Sequence, residues 1–176
     1  CLAMCYIAGR EAAERAKEVS LSEVDKGDVE KFSQKIYAPL KRKNGKRPVE
    51  IKKAIREIMS TYAFLERDGE GLEFALKKLG EIREKDLPRL ATLAKNKIFN
   101  VEWVDALEAI NMVEVAEMVC KAALMRTESR GLHQRTDYPN SDPAWLRHII
   151  IEKVGEEVRL STEPVDLSII TPDEEG

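Results

Sequence analysis

Arg126-Thr-Glu-Ser-Arg-Gly-Leu-His-Gln-Arg-Thr-Asp-Tyr-Pro139 divides the chain into two kinds of sequence. Before it, apolar residues recur at helical spacing. After it, β-branched residues and turn formers take over. The stretch packs Arg126, Glu128, Ser129, Arg130, His133, Arg135 and Asp137 into twelve residues. Gly131 and Pro139 mark places where a helix can end. A solvated loop has no need for so many opposed charges in one place. The spacing therefore predicts a fixed polar network at a helix exit, in which each charge satisfies another. A second role is open to the same residues, with Arg130 or His133 as proton donor to a substrate. The network is the better reading, because nothing else in the chain completes a catalytic site.

The upstream half predicts a three-helix antiparallel bundle. Pro48 suits a first helical position, and Ile51, Ile55, Ile58, Tyr62 and Leu65 follow on one face, stopping near Arg67-Asp-Gly69. Leu72, Leu76, Leu79, Ile82, Leu87, Leu90 and Leu93 repeat the pattern over about 71–94, with Pro88 placed to kink or split the helix. Lys77, Lys78, Glu81, Arg83, Glu84 and Lys85 form its wet side, with mixed signs suited to local ion pairs. Asn100 can cap a third helix reaching about Thr127. Its polar residues, Asp105, Glu108, Asn111, Glu114 and Glu117, recur every three positions. Each step turns about 300°, so the polar line drifts around the helix and leaves no single solvent face. That pattern predicts a central helix touching different neighbours along its length.

The flanks are an extra N-terminal helical segment and a C-terminal hairpin with an irregular tail, giving a mainly α fold. Leu2 to Glu18 reads as a small-residue helix whose first ten positions lack charge until Arg10, and so call for a covering partner. Asp25 or Asp28 can cap a further helix, which Pro39 would kink or end. Lys41-Arg-Lys-Asn-Gly-Lys-Arg47 carries five positive charges around a turn. It reads as a solvated loop, with a phosphate patch the alternative, since no aromatic residues interleave. In the tail, Ile149 to Leu160 with Gly155 at its centre reads as a hairpin. The predicted divisions are 1–18, 19–47, 48–139 and 140–176.

Composition narrows the function. The 176 residues are 43% apolar and 35% charged, with no apolar run long enough to span a bilayer. A net charge of -3 gives no pull toward nucleic acid. Cys1, Cys5 and Cys120 form no disulfide framework. His133 and His148 stand without ligand-spaced partners, so no metal site is expected. No Gly-rich dinucleotide fingerprint, phosphate loop or nucleophile elbow occurs. The missing initial methionine and the helix that begins at once suggest a piece of a longer protein.

Glu128-Ser-Arg-Gly-x-His133-x-Arg135-x-Asp137-Tyr-Pro139 resembles the C-terminal helical domain of the succinate dehydrogenase/fumarate reductase flavoprotein family, which also includes L-aspartate oxidase. Three further segments resemble the same family. Gly9-Arg10-x-Ala12 is similar to the end of a helix that starts at an Asn-Ser-Leu turn. Leu107-Glu108-x-x-Asn111-Met112-x-x-x-Ala116-Glu117 is similar to the third bundle helix. Trp145-x-x-His148, a hairpin and Pro164-Val165 come in the family's order. The likeness covers Cys1 to about Arg15 and about Val49 to Val165, and Ser20–Arg47 fits poorly. Ala8 and Ala13 stand where the family has Phe and Gly.

The resemblance implies a parent that interconverts succinate and fumarate through FAD. Cys1 and Leu2 would occupy the Ser-Leu positions beside the flavin, with Cys1 in place of Ser. The substrate-polarising residues would all lie upstream, leaving this chain with no catalytic residue and no flavin of its own. Its implied partners are the upstream FAD and capping domains and an iron–sulfur subunit. Its implied location is cytoplasmic, peripheral at the inner face of the cell membrane through those subunits. The long tail favours the succinate/fumarate branch over aspartate oxidase. A different reading is a stand-alone helical interaction module, which would have a polar, well-covered first helix.

Overall fold

A computed structural model describes residues 2–21, 23–155 and 157–168. The chain divides into two compact units, Cys1–Tyr37 and Ala38–Gly176. In the first unit, α1 spans Leu2–Glu18. Met4, Tyr6 and Ile7 on it are 69%, 72% and 44% exposed, so this helix is not the well-covered one a stand-alone module would need. The helix α2, Lys26–Lys41, begins in this unit. Asp25 caps it, its Oδ1 accepting from the Gly27 N–H at 2.7 Å. Pro39 sits inside the last turn and does not stop the helix before Lys41.

The second unit holds the predicted bundle: α3 (Pro48–Tyr62), α4 (Gly69–Glu81) and α5 (Val101–Met125). Ile51 and Ile55 of α3, Leu72, Ala75 and Leu79 of α4, and Ala106, Ala109, Val113, Ala116 and Cys120 of α5 form the core. The small residues on α5 let its neighbours approach closely. Pro48 takes the first turn of α3, where its missing N–H costs nothing. Asn100 accepts from the Trp103 N–H at 3.0 Å and starts α5.

Three expectations change here. The second bundle helix does not reach residue 94. Pro88 cannot donate to the ladder, and the helix passes through a π turn (Ile82–Asp86) and a 3-10 turn (Leu87–Arg89) before it ends. Leu93 then falls outside the apolar face and is 70% exposed. Arg83, expected on the wet side, reaches across to the buried Glu117 of α5 instead. The basic loop is also not free. Lys46 N–H donates to the Arg89 carbonyl at 2.9 Å, and Ala91 N–H donates back to the Lys46 carbonyl at 3.0 Å. A Cβ at Gly45 would collide with the Arg89 oxygen, so the approach is open only to glycine. Arg42 donates to the Leu90 carbonyl and Arg47 to Glu102, which leaves Lys41 and Lys43 as exposed charges of this loop.

The central helix does touch different partners along its length. Lys52 of α3 bridges Asp105 and Glu108 near its start, and α4 packs on it further along. Two short strands then tie the bundle to the polar stretch: β1 (Glu66–Arg67) pairs in parallel with β2 (Gln134–Arg135). The tail is an antiparallel hairpin of β3 (Arg147–Val154) and β4 (Glu157–Pro164), turning at Gly155. Among the described residues, no helix is long and apolar enough to cross a membrane.

Candidate functional site

The polar stretch folds as a joint rather than as a helix end. The helix α5 stops at Met125, well before Gly131, and Arg126 leaves it in extended conformation. Gly131 instead occupies a left-handed turn at φ 57, closed by paired Arg130 and His133 backbone hydrogen bonds. The reversal turns the side chain of Glu128 fully inward, to 0% exposure.

Glu128 accepts four hydrogen bonds there. Arg126 Nη1 donates to its Oε1 at 2.5 Å, Arg130 Nε and Nη2 donate at 3.0 Å each, and the Asp142 N–H donates to Oε2 at 2.8 Å. The Arg130 guanidinium is the largest influence on its acidity. Burial opposes it, and the Asp142 N–H and Arg126 add to it, so the carboxyl is held at about 2. Arg126 then reaches beyond the network, donating to the Trp145 carbonyl at 3.0 Å and the Arg147 carbonyl at 2.6 Å. Its guanidinium lies 5.1 Å from the Trp145 ring centre, and Trp145 Nε1–H donates to Thr127 Oγ1 at 3.0 Å. The bundle and the hairpin are therefore joined through Arg126.

A second ion pair performs the matching task for the bundle. Arg135 is 3% exposed and makes a two-pronged contact with Asp137, both bonds at 2.7 Å. Its Nη1 points at the last carbonyls of α5, 2.9 Å from Ala123 O and 3.1 Å from Leu124 O and Arg126 O. A fixed cation thus caps the negative end of α5. Asp137 Oδ2 accepts from the Gly69 N–H at 3.0 Å and caps the start of α4. Arg135 leads the influences that hold Asp137 at about 2, with burial opposing and the Gly69 N–H assisting. Ser129 sits between the two pairs. Its Oγ donates to Tyr138 O at 2.8 Å and accepts from the Arg135 N–H at 2.8 Å.

His133 is half-buried, with Nε2 3.2 Å from the Arg126 carbonyl. That contact places the ring proton on Nε2. Burial, followed by the nearby Arg67, Arg135 and Arg126 charges, lowers its pKa below the ordinary histidine value, against the pull of that hydrogen bond. Cys1 lies outside the described residues, and Leu2 is described only as the first backbone position of α1. Among the described residues, no His, Cys, Asp and Glu cluster could hold a metal ion. Cys120 is buried, and burial raises its thiol pKa, so it stays protonated.

Sequence reasoning missed several members of the joint. Arg67 lies beside Arg135 in the parallel pair, accepts from Thr136 N–H at 2.9 Å and donates to Leu132 O at 3.1 Å. A two-residue strand leaves no periodic trace, so nothing in the sequence marks it. Asp142 shows in the sequence only as one of the turn formers after Pro139, and Trp145 only as the start of a Trp-x-x-His pair.

The same domain occurs in known proteins. The family profile described as fumarate reductase flavoprotein C-term matches residues 52–176. A subunit of the CoM/CoB fumarate reductase of Methanothermobacter marburgensis is 32% identical over 150 residues, which cover 83% of this chain and 26% of that protein. The fumarate reductase flavoprotein subunit of Helicobacter pylori is 36% identical over 137 residues, covering 73% and 18% respectively. Among solved structures, the Mycobacterium smegmatis Sdh1 complex in the apo form superposes with a TM-score of 0.78 at 28% identity, over 89% of this chain and 27% of its own. The chain therefore spans between 18% and 27% of the length of these relatives.

Proposed function

The chain belongs to the succinate dehydrogenase/fumarate reductase flavoprotein family, as the C-terminal domain of that subunit, and we propose that its own task is structural. It closes the flavin-binding part of a longer parent and offers a surface to the electron-transfer partner. The observation that carries this reading is α5. That helix buries one side in the bundle, yet Val101, Val104, Val115 and Val119 are 73%, 52%, 55% and 42% exposed. Exposed valines along a helix that packs on its other side mark a surface that another part of a protein covers. Ile55, Met59, Met112 and Val115 line an apolar groove of about 450 Å³ beside it. The relatives are several times longer than this chain, which supports the remainder of the same flavoprotein as the covering partner.

The parent would interconvert succinate and fumarate through FAD, which supplies the hydride chemistry. The described residues do not fit that cofactor. Their strands form only a two-residue pair and a hairpin, with no parallel strand–turn–helix unit to cradle a pyrophosphate. The charged groups of the joint are bound to one another. Glu128 and Asp137 are held ionised, and their bonds anchor helix ends and the hairpin instead of facing a reacting atom. Arg126, Glu128, Ser129, Arg130, His133, Arg135 and Asp137 thus act as a positioning network between bundle and tail. An iron–sulfur subunit is the implied neighbour, and peripheral attachment at the inner face of the cell membrane would come through such subunits. Flavin titration of the purified chain tests the reading. We expect no retained flavin absorbance after gel filtration with excess FAD; tight stoichiometric FAD would overturn it. A stand-alone module is the weaker alternative, because α1 exposes Met4 and Ile7.

A further inference from the structure

Between the joint and the first residues of the hairpin lies a cleft of about 280 Å³, lined by Arg126, Arg130, His133, Trp145, Leu146, Arg147 and Val165. Three arginines line it, and Glu128 is bonded to two of them, Arg126 and Arg130. Three positive charges less those of Glu128 and Asp142 leave a surplus of one. The surplus is located. Arg147 is exposed, and its guanidinium has no ion pair or hydrogen bond among the described residues; only its backbone carbonyl is used, by Arg126. Arg130 turns Nε and Nη2 to Glu128 and the Asp142 carbonyl, and its Nη1 bonds to nothing among the described residues. With the His133 proton on Nε2, its Nδ1 carries a lone pair and adds no donor to the cleft. Asp142, the remaining acid at this edge, has Oδ1 engaged by the Ala144 N–H. The apolar part of the lining is Trp145, Leu146 and Val165.

We propose that this cleft binds a carboxylate, held by Arg147 and the open edge of Arg130, with its carbon stem against Trp145, Leu146 and Val165. A guanidinium fork matches the two oxygens of a carboxylate, and the apolar lining gives a short carbon chain a place that inorganic phosphate cannot use. The carboxylate can be a small free acid or a glutamate side chain presented by a partner protein. The structural role of the joint stands whatever this cleft holds.

Nuclear magnetic resonance titration of the 176-residue chain distinguishes the outcomes. The reporters are the ring C–H signals of His133 and the indole N–H of Trp145. The probes are succinate, a capped glutamate (N-acetyl, N-methylamide) and inorganic phosphate. Both reporters are expected to shift saturably with a carboxylate probe and less with phosphate. Arg147→Glu should weaken the response about ten-fold or more, the loss of one charged hydrogen-bonding partner. Arg147→Lys should retain part of it. The Arg147 guanidinium makes no polar contact among the described residues, so both variants should keep the parent circular dichroism. Tighter binding of succinate identifies a free acid, and tighter binding of the capped glutamate identifies a protein side chain. Absence of saturable shifts, phosphate binding as tightly as either acid, or undiminished binding in Arg147→Glu would each overturn the proposal.

Discussion

Glu128 is a carboxylate with no exposed surface that stays ionised because every lone-pair direction meets a donor. Removing its charge while keeping its shape leaves Arg126 and Arg130 facing a neutral amide in a buried site. Glu128→Gln should therefore destabilise the chain by about 3–5 kcal/mol, read from urea denaturation. Arg130→Ala should cost less, since Arg126 and the Asp142 N–H remain on the carboxylate and Arg130 is 44% exposed. The pH dependence follows from the sign of the shift. The folded carboxyl titrates at about 2 and the free group at 4.5, so its stabilisation is complete above 4.5 and is lost as pH falls toward 2. Asp137, held at about 2 from 3.8, adds to the same acid limb. The limb should be shallower in Glu128→Gln; an unchanged limb would mean that Glu128 is not the group responsible. The sequence shows that these residues are clustered. It does not show that Glu128 is the buried centre and Arg135 a helix cap, because neighbours two residues apart in a turn can face opposite ways.

At the level of the elements, the starts of the helices are plain in the sequence and their ends are not. Asp25, Pro48 and Asn100 act locally through their own side chain or ring, so each start is visible as a residue type. The end of α4 is set by Pro88 together with a tertiary contact, the pairing of Arg83 with Glu117. The π turn rotates the chain so that Arg83 meets a carboxylate buried on α5. Arg83→Ala would leave that buried charge without its partner, at a cost of about 3 kcal/mol. Arg83→Lys should recover part of it, and thermal unfolding of the three proteins checks the order. A surface lysine–glutamate pair of the kind expected for this side of the helix is worth only about 0.3–0.5 kcal/mol, so the two accounts separate cleanly. The end of α5 shifts for the same kind of reason. Arg135, ten residues beyond Met125 in the chain, caps its carbonyls, and sequence spacing cannot announce a cap that arrives from the next turn.

For the whole molecule, the apolar surface of α5 and its groove carries the consequence. In the full-length flavoprotein, Val115→Lys together with Val119→Lys should leave the bundle folded, since neither residue belongs to its core. The same pair should loosen the parent, measured as a lower unfolding temperature and faster loss of FAD. An unaffected parent would move the covered surface elsewhere. Helical period, the caps at the helix starts and the hairpin turn were legible in the chain, as was the family, because each is written in local residue order. The tertiary structure alone decided which charges meet, Arg83 with Glu117 and Lys52 with Asp105 and Glu108, and that Gly45 lies against the Arg89 carbonyl. The same holds for Arg126 to Pro139. Its composition announces a polar network, but only folding brings the end of α5, the start of α4 and the base of the hairpin close enough for those side chains to join them. Periodicity is a property of neighbours in sequence, whereas buried charge pairing is a property of neighbours in space.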